Sequence, residues 1–174
     1  MIQNGILTDD DPVELLEGWL VLKMPKKPAH TLTTQLTRDA LARLLPAHWF
    51  INDQEPITTA DSESEPDVVI VRGQRLHYAN RHPSAHDIAI MIEVADATLQ
   101  RNRSNKKRLY ARAGISSYWI INLVERQIEV YTIPTTIDDI PDYQQRRDYR
   151  DEEALPIILA ELEIGRIRVR EVIP

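Results

Sequence analysis

Residues 90–114 read IMIEVADATLQRNRSNKKRLYARAG, and this stretch predicts a buried strand that leads into a helix. The strand is the run DIAIMIEV at residues 87–94, which carries apolar side chains toward both of its faces. Such runs are typical of central strands that are covered on both sides. Apolar periodicity predicts the helix over residues 104–113, with Gly114 ending it. The pattern indicates an α/β fold in which the helix follows a central strand.

Two charged residues interrupt this otherwise apolar pattern. Lys106 lies on the same helical stripe as Leu109, Tyr110 and Ala113, which is the face that a helix normally buries. Glu93 lies near the C-terminal end of the strand. Burying an isolated charge is costly, so buried charges persist when they pair with each other or with a metal ion. The stretch therefore predicts a functional site as well as a fold.

The flanking sequence adds further strands and one more helix. The runs PDVVIV at 66–71 and SYWIINL at 117–123 are again apolar on both faces and predict central strands. Helical spacing over residues 31–45, with Thr31 as N-cap and Pro46 as terminator, predicts the first helix. Its apolar stripe comprises Leu32, Leu36, Ala40, Leu41, Leu44 and Leu45. Other strands are predicted at 19–24, 49–51, 55–59, 124–133 and 165–173. We expect a mixed central sheet flanked by helices, with additional β-hairpins.

The composition favours one folded domain over residues 1–174. The chain is 43% hydrophobic and 28% charged, in the range of soluble globular proteins. It contains no cysteine, which excludes disulfides, thiol nucleophiles and cysteine–metal sites. We find no signal-peptide pattern and no apolar run of membrane-spanning length, so we expect a cytoplasmic protein without membrane contact. The formal net charge is −6, so a phosphate-binding surface must be local.

Asp67, Glu93 and Lys106 form the candidate site. Asp67 opens the predicted strand at 66–71, and Glu93 lies in the neighbouring buried strand. Two carboxylates on adjacent strands can hold one Mg²⁺, which takes oxygen ligands and keeps several waters. A lysine beside them can polarise a water or stabilise the charge that develops on a phosphorane. A single Asp or Glu at a strand end is usually a solvated group, so the prediction rests on all three residues.

The second helix carries a dense group of cations on this acidic chain. No acidic residue occurs between Arg101 and Arg112. The cations of this basic run are Arg101, Arg103, Lys106, Lys107, Arg108 and Arg112. The run predicts contact with a phosphate backbone. A solvated helix face is the alternative, and it is the more common explanation of an arbitrary charge run.

Several other polar residues are candidates for the site. His30 precedes the first predicted helix and could bind a metal or position a water, or could simply be an exposed histidine at a helix start. Glu14 and Glu17 could also reach a metal. Three histidines lack the spacing of a zinc site and are predicted to face solvent: His77, His82 and His86. The chain has neither a phosphate-cradling glycine motif nor a GxSxG nucleophile turn.

The order of these residues resembles the PD-(D/E)xK nuclease superfamily and, within it, the Uma-type family of restriction endonucleases. The resemblance covers nearly the whole chain. VELLEGWLVLKMPKKPAH at 13–30 is similar to the opening of the family, and EPDVVIV at 65–71 is similar to its Pro-Asp strand. IEVADATLQRNRSNKKRLYARAGISSYWIIN at 92–122 is similar to the family's long stretch with an acid, a lysine and a YW strand. The length and order of this last stretch make the resemblance specific.

The resemblance implies a restriction-endonuclease-like fold and a catalytic set of Asp67, Glu93 and Lys106, joined by His30. In the superfamily the lysine usually lies two positions after the acid, where this chain has Ala95; the family instead places its lysine on the next helix. The implied cofactor is Mg²⁺, with Mn²⁺ as a substitute. Asp67, Glu93 and the backbone carbonyl of Val94 are the implied metal ligands.

DNA is the implied partner, contacted by Arg101, Arg103, Lys107 and Arg108. A homodimer would suit the two strands of a duplex.

The chain departs from the family pattern at three positions that often carry acidic residues. They are Asn102, Ser117 and Asn122. Two other functions therefore remain open. One is a non-catalytic domain that binds nucleic acid or protein and derives from a nuclease. The other is a small-molecule hydrolase that uses the same carboxylates.

Overall fold

The computed structural model describes residues 11–136 and 140–174. From the sequence, the segment PTTIDDIPD at 134–142 with its two prolines predicts a loop, and it lies partly outside the described residues. The start of the N-terminal stretch, in which we find no signal-peptide pattern, lies outside them as well. The helical segments are α1 (Pro28–Ala42), α2 (Leu99–Arg101), a π-helical turn (Asn102–Lys106) and α3 (Lys107–Arg112). The strands are β1 (Val13–Leu16), β2 (Trp19–Leu22), β3 (Trp49–Asn52), β4 (Ile57–Thr58), β5 (Glu63–Ser64), β6 (Val68–Arg72), β7 (Ile88–Ala95), β8 (Ser117–Asn122), β9 (Gln127–Pro134), β10 (Tyr143–Arg150), β11 (Ala154–Leu159) and β12 (Leu162–Arg168). None of the helices in these ranges is long and apolar enough to cross a membrane.

A six-stranded mixed sheet forms the centre of the fold, in the order β10-β9-β8-β7-β6-β3. β7 and β8 run parallel, and the chain crosses between them through α2, the π turn and α3. The remaining neighbours pair antiparallel. This arrangement confirms the predicted mixed α/β class. A four-stranded sheet (β2-β1-β5-β4) and the β11–β12 hairpin supply the additional hairpins.

Both faces of the central sheet are covered, which explains why its inner strands are apolar on both sides. On one face, Ile92 packs in a core with Leu41 of α1 and Ile157 of β11. On the other face, Met91 packs in a core with Leu109 of α3. Alternate residues of β7 thus enter different cores, as the two-residue period of a strand requires.

The first helix, at Pro28–Ala42, differs from its prediction at both ends and in part of its buried face, although Ala40 and Leu41 of the predicted stripe are buried. It begins at Pro28, a favourable first helical residue, rather than after Thr31. Leu32, from the predicted apolar stripe, is 44% exposed. Thr34 and Thr37 are buried instead, because their hydroxyls donate to the backbone carbonyls four residues earlier at 2.9 and 2.7 Å. Apolar spacing could not predict this face, since buried threonines satisfy their hydroxyls locally.

The second helical segment is longer than predicted and contains a π turn. It runs from Leu99 to Arg112 in three parts, whereas the sequence predicted residues 104–113. Lys106 is the last residue of the π turn, and it is buried together with Leu109 and Tyr110 as predicted. Turns of this kind are rare and frequently occur at functional sites.

Gly114 closes this helical segment, as predicted. It adopts a φ of +76° and donates to the carbonyl of Ala111, while Ile115 donates to the carbonyl of Tyr110. These two hydrogen bonds are those of a Schellman motif, which favours glycine at the left-handed position.

Candidate functional site

The two carboxylates of the candidate site meet where β6 begins and β7 nears its end. Val68 pairs with Ile92 in the antiparallel register, so Asp67 and Glu93 lie side by side one residue further on. Each is only 4% exposed. The backbone N–H of Val94 donates to Asp67 Oδ2 at 2.9 Å, which ties the Asp67 carboxylate to β7.

Lys106 reaches this pair from the π turn. Its Nζ lies 2.9 Å from Glu93 Oε1 and 3.2 Å from Glu14 Oε2, and the residue is 3% exposed. The Tyr110 hydroxyl, one helical turn later, donates to the same Glu93 oxygen at 2.8 Å. The charge on the inward stripe of the helix is therefore explained by a buried ion pair with the charge in the strand.

Burial and the neighbouring charges set the ionisation of this group. Burial raises the pKa of Glu93 to about 7; Lys106 opposes that rise, and the negative charges of Asp67 and Glu14 add to it. Burial alone would lower the pKa of Lys106, but Glu93 and Glu14 raise it above its ordinary value. Lys106 therefore stays protonated at neutral pH, and Glu93 is the carboxyl whose charge is least stabilised.

His30 and Lys26 hold Asp67 from the opposite side. His30, in the first turn of α1, lies with Nε2 3.1 Å from Asp67 Oδ2, and Lys26 Nζ lies 3.2 Å from Oδ1. Burial would raise the pKa of Asp67, but the hydrogen bond from His30 and the charges of His30 and Lys26 hold it below its ordinary value. Asp67 is therefore ionised at neutral pH.

Glu14 is the acidic residue whose importance the sequence understated. It lies on β1, is 4% exposed, and lines the same pocket as Asp67, Glu93 and Lys106. The available signal was its position two residues before Leu16, which places both residues on the same face of a strand, and both are buried in β1. Glu17 does not line this pocket and instead pairs with Arg108, in an exposed contact.

The basic run is largely paired with acidic residues of the chain itself. Lys107 Nζ lies 2.8 Å from Asp142 Oδ1, and Arg108 contacts Glu17. Arg101 lines the pocket with Lys106, and its Nη2 lies 3.7 Å from Glu14 Oε1. These pairs reduce the positive potential that the sequence predicted for this surface.

Arg103 is directed away from the site. It donates to the buried carboxylate of Glu129 on β9 at 3.1 Å and to Glu125 at 2.9 Å. Asn122 donates to Glu129 as well, at 2.8 Å. One residue of the basic run and one departure from the family pattern thus belong to a polar network where β8 ends and β9 begins.

The remaining histidines behave as predicted. His77, His82 and His86 are exposed, and none of them lines the pocket of Asp67 and Glu93.

The donor set of the pocket fits a hard divalent cation that keeps waters. Among residues 11–136 and 140–174, no group of three or more His, Cys, Asp or Glu side chains could hold a metal ion alone. Asp67 and Glu93 nevertheless offer carboxylate oxygens side by side, and the buried carboxylate of Glu14 lines the same pocket. Mg²⁺ commonly binds one or two carboxylates and completes its shell with water. The chemistry of these oxygens therefore suits Mg²⁺ or Mn²⁺.

Comparisons with known proteins agree with this architecture. The chain is similar to a solved structure from Anabaena variabilis described as "a putative nuclease belonging to DUF820", with a TM-score of 0.72 and 15% identity. The likeness covers 96% of this chain and 93% of that chain, and at this identity it establishes the fold. No curated protein matches the chain. The family Uma2, described as "Putative restriction endonuclease", matches residues 4–167. This chain therefore belongs to the Uma2 family and has a nuclease-like fold.

Proposed function

We propose that this protein is a metal-dependent endonuclease that hydrolyses phosphodiester bonds of DNA. The observation that carries the proposal is the convergence of Asp67, Glu93, Lys106 and His30 on one buried pocket. The four side chains come from the residue before β6, from β7, from the π turn and from α1, so the fold brings together groups that are distant in sequence. The description of the Uma2 family supports a nuclease in general, and DNA is the substrate that a restriction endonuclease would cut.

Asp67 and Glu93 would hold one Mg²⁺, with Mn²⁺ as a substitute, and the carbonyl of Val94 would be a third protein ligand. When bound, the ion supplies positive charge for the phosphate and lowers the pKa of water. Two carboxylates that lie side by side repel each other unless a cation compensates their charge, and this supports the proposed metal site. The raised pKa of Glu93 reflects burial and the nearby charges of Asp67 and Glu14, which a divalent cation would offset.

Lys106 would act as a fixed positive charge rather than as a base. Its raised pKa keeps the ammonium protonated at neutral pH, so it can donate hydrogen bonds but cannot accept a proton from water. A donor placed where negative charge develops stabilises the transition state of phosphoryl transfer. Glu93 and Glu14 hold the ammonium in position, which lets it orient an attacking water or stabilise the phosphorane.

His30 would be a positioning residue for Asp67. Its Nε2 contacts Asp67 Oδ2, the same oxygen that accepts from the backbone of Val94. These two contacts fix the plane of the carboxylate. The other oxygen, Oδ1, faces Lys26. A fixed carboxylate plane is what a metal ligand requires, because its lone pairs must point at the ion.

DNA would approach through the opening of the pocket, where we propose contacts from Arg101, Arg103, Lys107 and Arg108. Arg101 is the best placed, because it lines the pocket itself. Lys107 and Arg108 would have to exchange their partners Asp142 and Glu17 for phosphate. Arg103 would contribute least, since Glu129 holds it. We also propose a homodimer, which would present one site to each strand of a duplex.

The test is cleavage of supercoiled plasmid and of linear duplex DNA with and without Mg²⁺. We expect cleavage that requires metal and that is lost in Asp67→Asn and Glu93→Gln. His82→Ala, an exposed histidine outside the pocket, is the matched control and should cleave like the wild type. Metal-dependent cleavage that persists in both carboxylate variants would contradict the proposed site.

A non-catalytic DNA-binding domain is the second candidate. The observation that favours it is that Lys26 and Lys106 already neutralise Asp67 and Glu93 within the chain. This function predicts DNA affinity without metal dependence and no cleavage under any of the conditions above. A small-molecule hydrolase predicts no DNA affinity at low salt.

A further inference from the structure

Unpartnered polar atoms are concentrated at the candidate site. Five buried side-chain polar atoms of the described residues make no hydrogen bond, and four of them belong to residues that line the pocket of Asp67. These four atoms are Glu14 Oε2, His30 Nδ1, Arg101 Nε and Asn102 Nδ2. Glu14 Oε2 is compensated by the Lys106 ammonium at 3.2 Å, so the other three atoms carry the argument. Native proteins rarely leave such atoms unsatisfied, so their clustering indicates a pocket built to receive a polar ligand.

Two of these atoms are donors on adjacent residues. The guanidinium Nε of Arg101 and the amide Nδ2 of Asn102 can only donate hydrogen bonds. Asn102 is 1% exposed, so solvent does not satisfy its amide. A pair of buried donors, one of them cationic, matches an anion and repels a metal ion.

The backbone around Asn102 is held in place by contacts that do not use its side-chain amide. Asn102 begins the π turn, and its N–H donates to the carbonyl of Thr98 at 3.0 Å. Its own carbonyl accepts from the buried hydroxyl of Tyr118 at 3.2 Å. The position of the residue is therefore set by the fold, while its Nδ2 makes no hydrogen bond.

The acidic group that pairs with Arg101 is also paired with a lysine. Arg101 forms an ion pair with Glu14 at 3.7 Å. The Lys106 ammonium lies 3.2 Å from the same carboxylate, so the negative charge of Glu14 is compensated from two sides. An aspartate at position 102 would add a carboxylate here. Asparagine keeps nearly the same shape, removes that charge and replaces it with a donor.

We propose that Arg101 and Asn102 form an anion subsite that binds a non-bridging oxygen of the substrate phosphate. The proposal rests on the proposed nuclease function and adds to it: the pocket has a cation side at Asp67 and Glu93 and a phosphate side at Arg101 and Asn102. The asparagine that departs from the family pattern is then a phosphate-binding residue rather than a lost acid.

Inorganic phosphate and thymidine 5′-monophosphate are the probes, titrated by calorimetry into the whole chain without DNA. Asn102→Asp should weaken phosphate binding about tenfold or more, because a charge replaces a donor, and Asn102→Ala should weaken it about threefold. Asn105→Asp is the matched control: it adds the same charge to the same π turn at an exposed position and should change the affinity less than about twofold, since exposed charges are screened. Equal phosphate affinity in Asn102→Asp and the wild type would overturn the subsite.

Folding and catalysis are separated by further measurements. If Asn102→Asp does not fold by circular dichroism, Asn102→Ala and Arg101→Gln carry the test, and unchanged phosphate affinity in both overturns the subsite. For cleavage, we expect Asn102→Ala to raise KM for DNA more than it lowers kcat. A protein that never cleaves DNA but loses phosphate binding in Asn102→Asp would retain the subsite and reject the nuclease. A protein that cleaves DNA, but whose phosphate affinity and KM for DNA do not change when Asn102 is substituted, would retain the nuclease function and reject the subsite.

Discussion

Lys26 Nζ lies 3.2 Å from Asp67 Oδ1, the carboxylate oxygen that His30 and the backbone of Val94 leave to it. Lys26 is about two-fifths exposed, whereas Asp67 is buried. A partly exposed ammonium thus lies against one oxygen of a buried carboxylate. A metal ion on Asp67 would compete with this ammonium for the same oxygen.

Removing Lys26 should strengthen metal binding. Because Lys26→Ala frees Asp67 Oδ1 and removes a positive charge, we expect Mn²⁺ affinity, measured by calorimetry, to rise about three- to tenfold. Lys27→Ala is the control, since Lys27 Nζ lies 3.1 Å from Asp96 Oδ2 rather than from Asp67. Unchanged or weaker Mn²⁺ binding in Lys26→Ala would show that the ion does not use this oxygen.

Lys106, and not Lys107, should be required for turnover. Lys106→Met removes the cation that faces Glu93, and we expect single-turnover cleavage to fall by about 10²-fold or more. Lys107→Met loses its contact with Asp142 at the surface and should cleave within about threefold of the wild type, since exposed ion pairs contribute little. An active Lys106→Met protein alongside an inactive Lys107→Met protein would contradict the assignment.

The same change should also lower stability, so folding must be checked. Removing Lys106 leaves buried Glu93 and Glu14 without their shared cation, and breaking a buried pair costs about 3–5 kcal/mol. The cleavage assay therefore belongs at a temperature where circular dichroism shows Lys106→Met to be folded. Metal-free DNA binding should be nearly unchanged in that protein.

Glu93 should make the metal-free protein less stable as pH rises toward neutrality. Its pKa is about 7 in the folded protein and 4.5 ordinarily, so the folded state binds the extra proton between these values. Stability from this group is complete below about pH 4.5 and is lost as pH rises through about 7, with a slope of at most about 1.4 kcal/mol per pH unit. Urea unfolding between pH 5 and 8 measures it. Glu93→Gln should flatten this part of the profile, and an identical slope in both proteins would refute the assignment.

Restoring an acid at position 122 should destabilise the fold. Asn122 donates to buried Glu129 at 2.8 Å, and its Oδ1 accepts from the backbone of Val124 and Glu125. Burial would raise the pKa of Glu129, but hydrogen bonds from Arg103 and its other neighbours lower it to about 2, so its charge persists at neutral pH.

Asn122→Asp would place a second carboxylate against this charge. We expect a loss of about 1–3 kcal/mol in the free energy of unfolding at pH 7, measured in urea. Asn105→Asp, at an exposed position, is the control and should change stability by less than about 0.5 kcal/mol. An unchanged free energy of unfolding in Asn122→Asp would mean that Glu129 does not need the hydrogen bond from Asn122.

The salt dependence of DNA binding should separate phosphate contacts from structural arginines. Arg101→Ala with Arg108→Ala should reduce the slope of log affinity against log salt by about one to two units. Arg103→Ala should instead lower thermal stability, because Arg103 pairs with buried Glu129. Fluorescence anisotropy from 50 to 300 mM salt measures the slope. If only Arg103→Ala changes the slope, Arg103 contacts phosphate and Arg101 and Arg108 do not.

The central strands and the main residues of the candidate pocket could be predicted from the order of the amino acids. Apolar side chains on both faces predicted the burial of β6, β7 and β8, because only a strand covered on both sides tolerates them. Charges inside those apolar patterns singled out Asp67, Glu93 and Lys106. In these strands and in the second helix the spacing of apolar residues was sufficient to predict burial, whereas in α1 buried threonines escaped it.

Which side chains form ion pairs with these buried charges depends on the tertiary structure. Glu14 lies 92 positions before Lys106, and Lys26 lies 41 positions before Asp67, so no local period links the partners. The register of the small sheet and the loop before α1 bring them into the pocket. The same holds for the basic run, whose cations find acidic partners on distant strands and loops. Pairing depends on where the chain returns in space, and this is set by the packing of the whole fold rather than by the spacing of neighbouring residues.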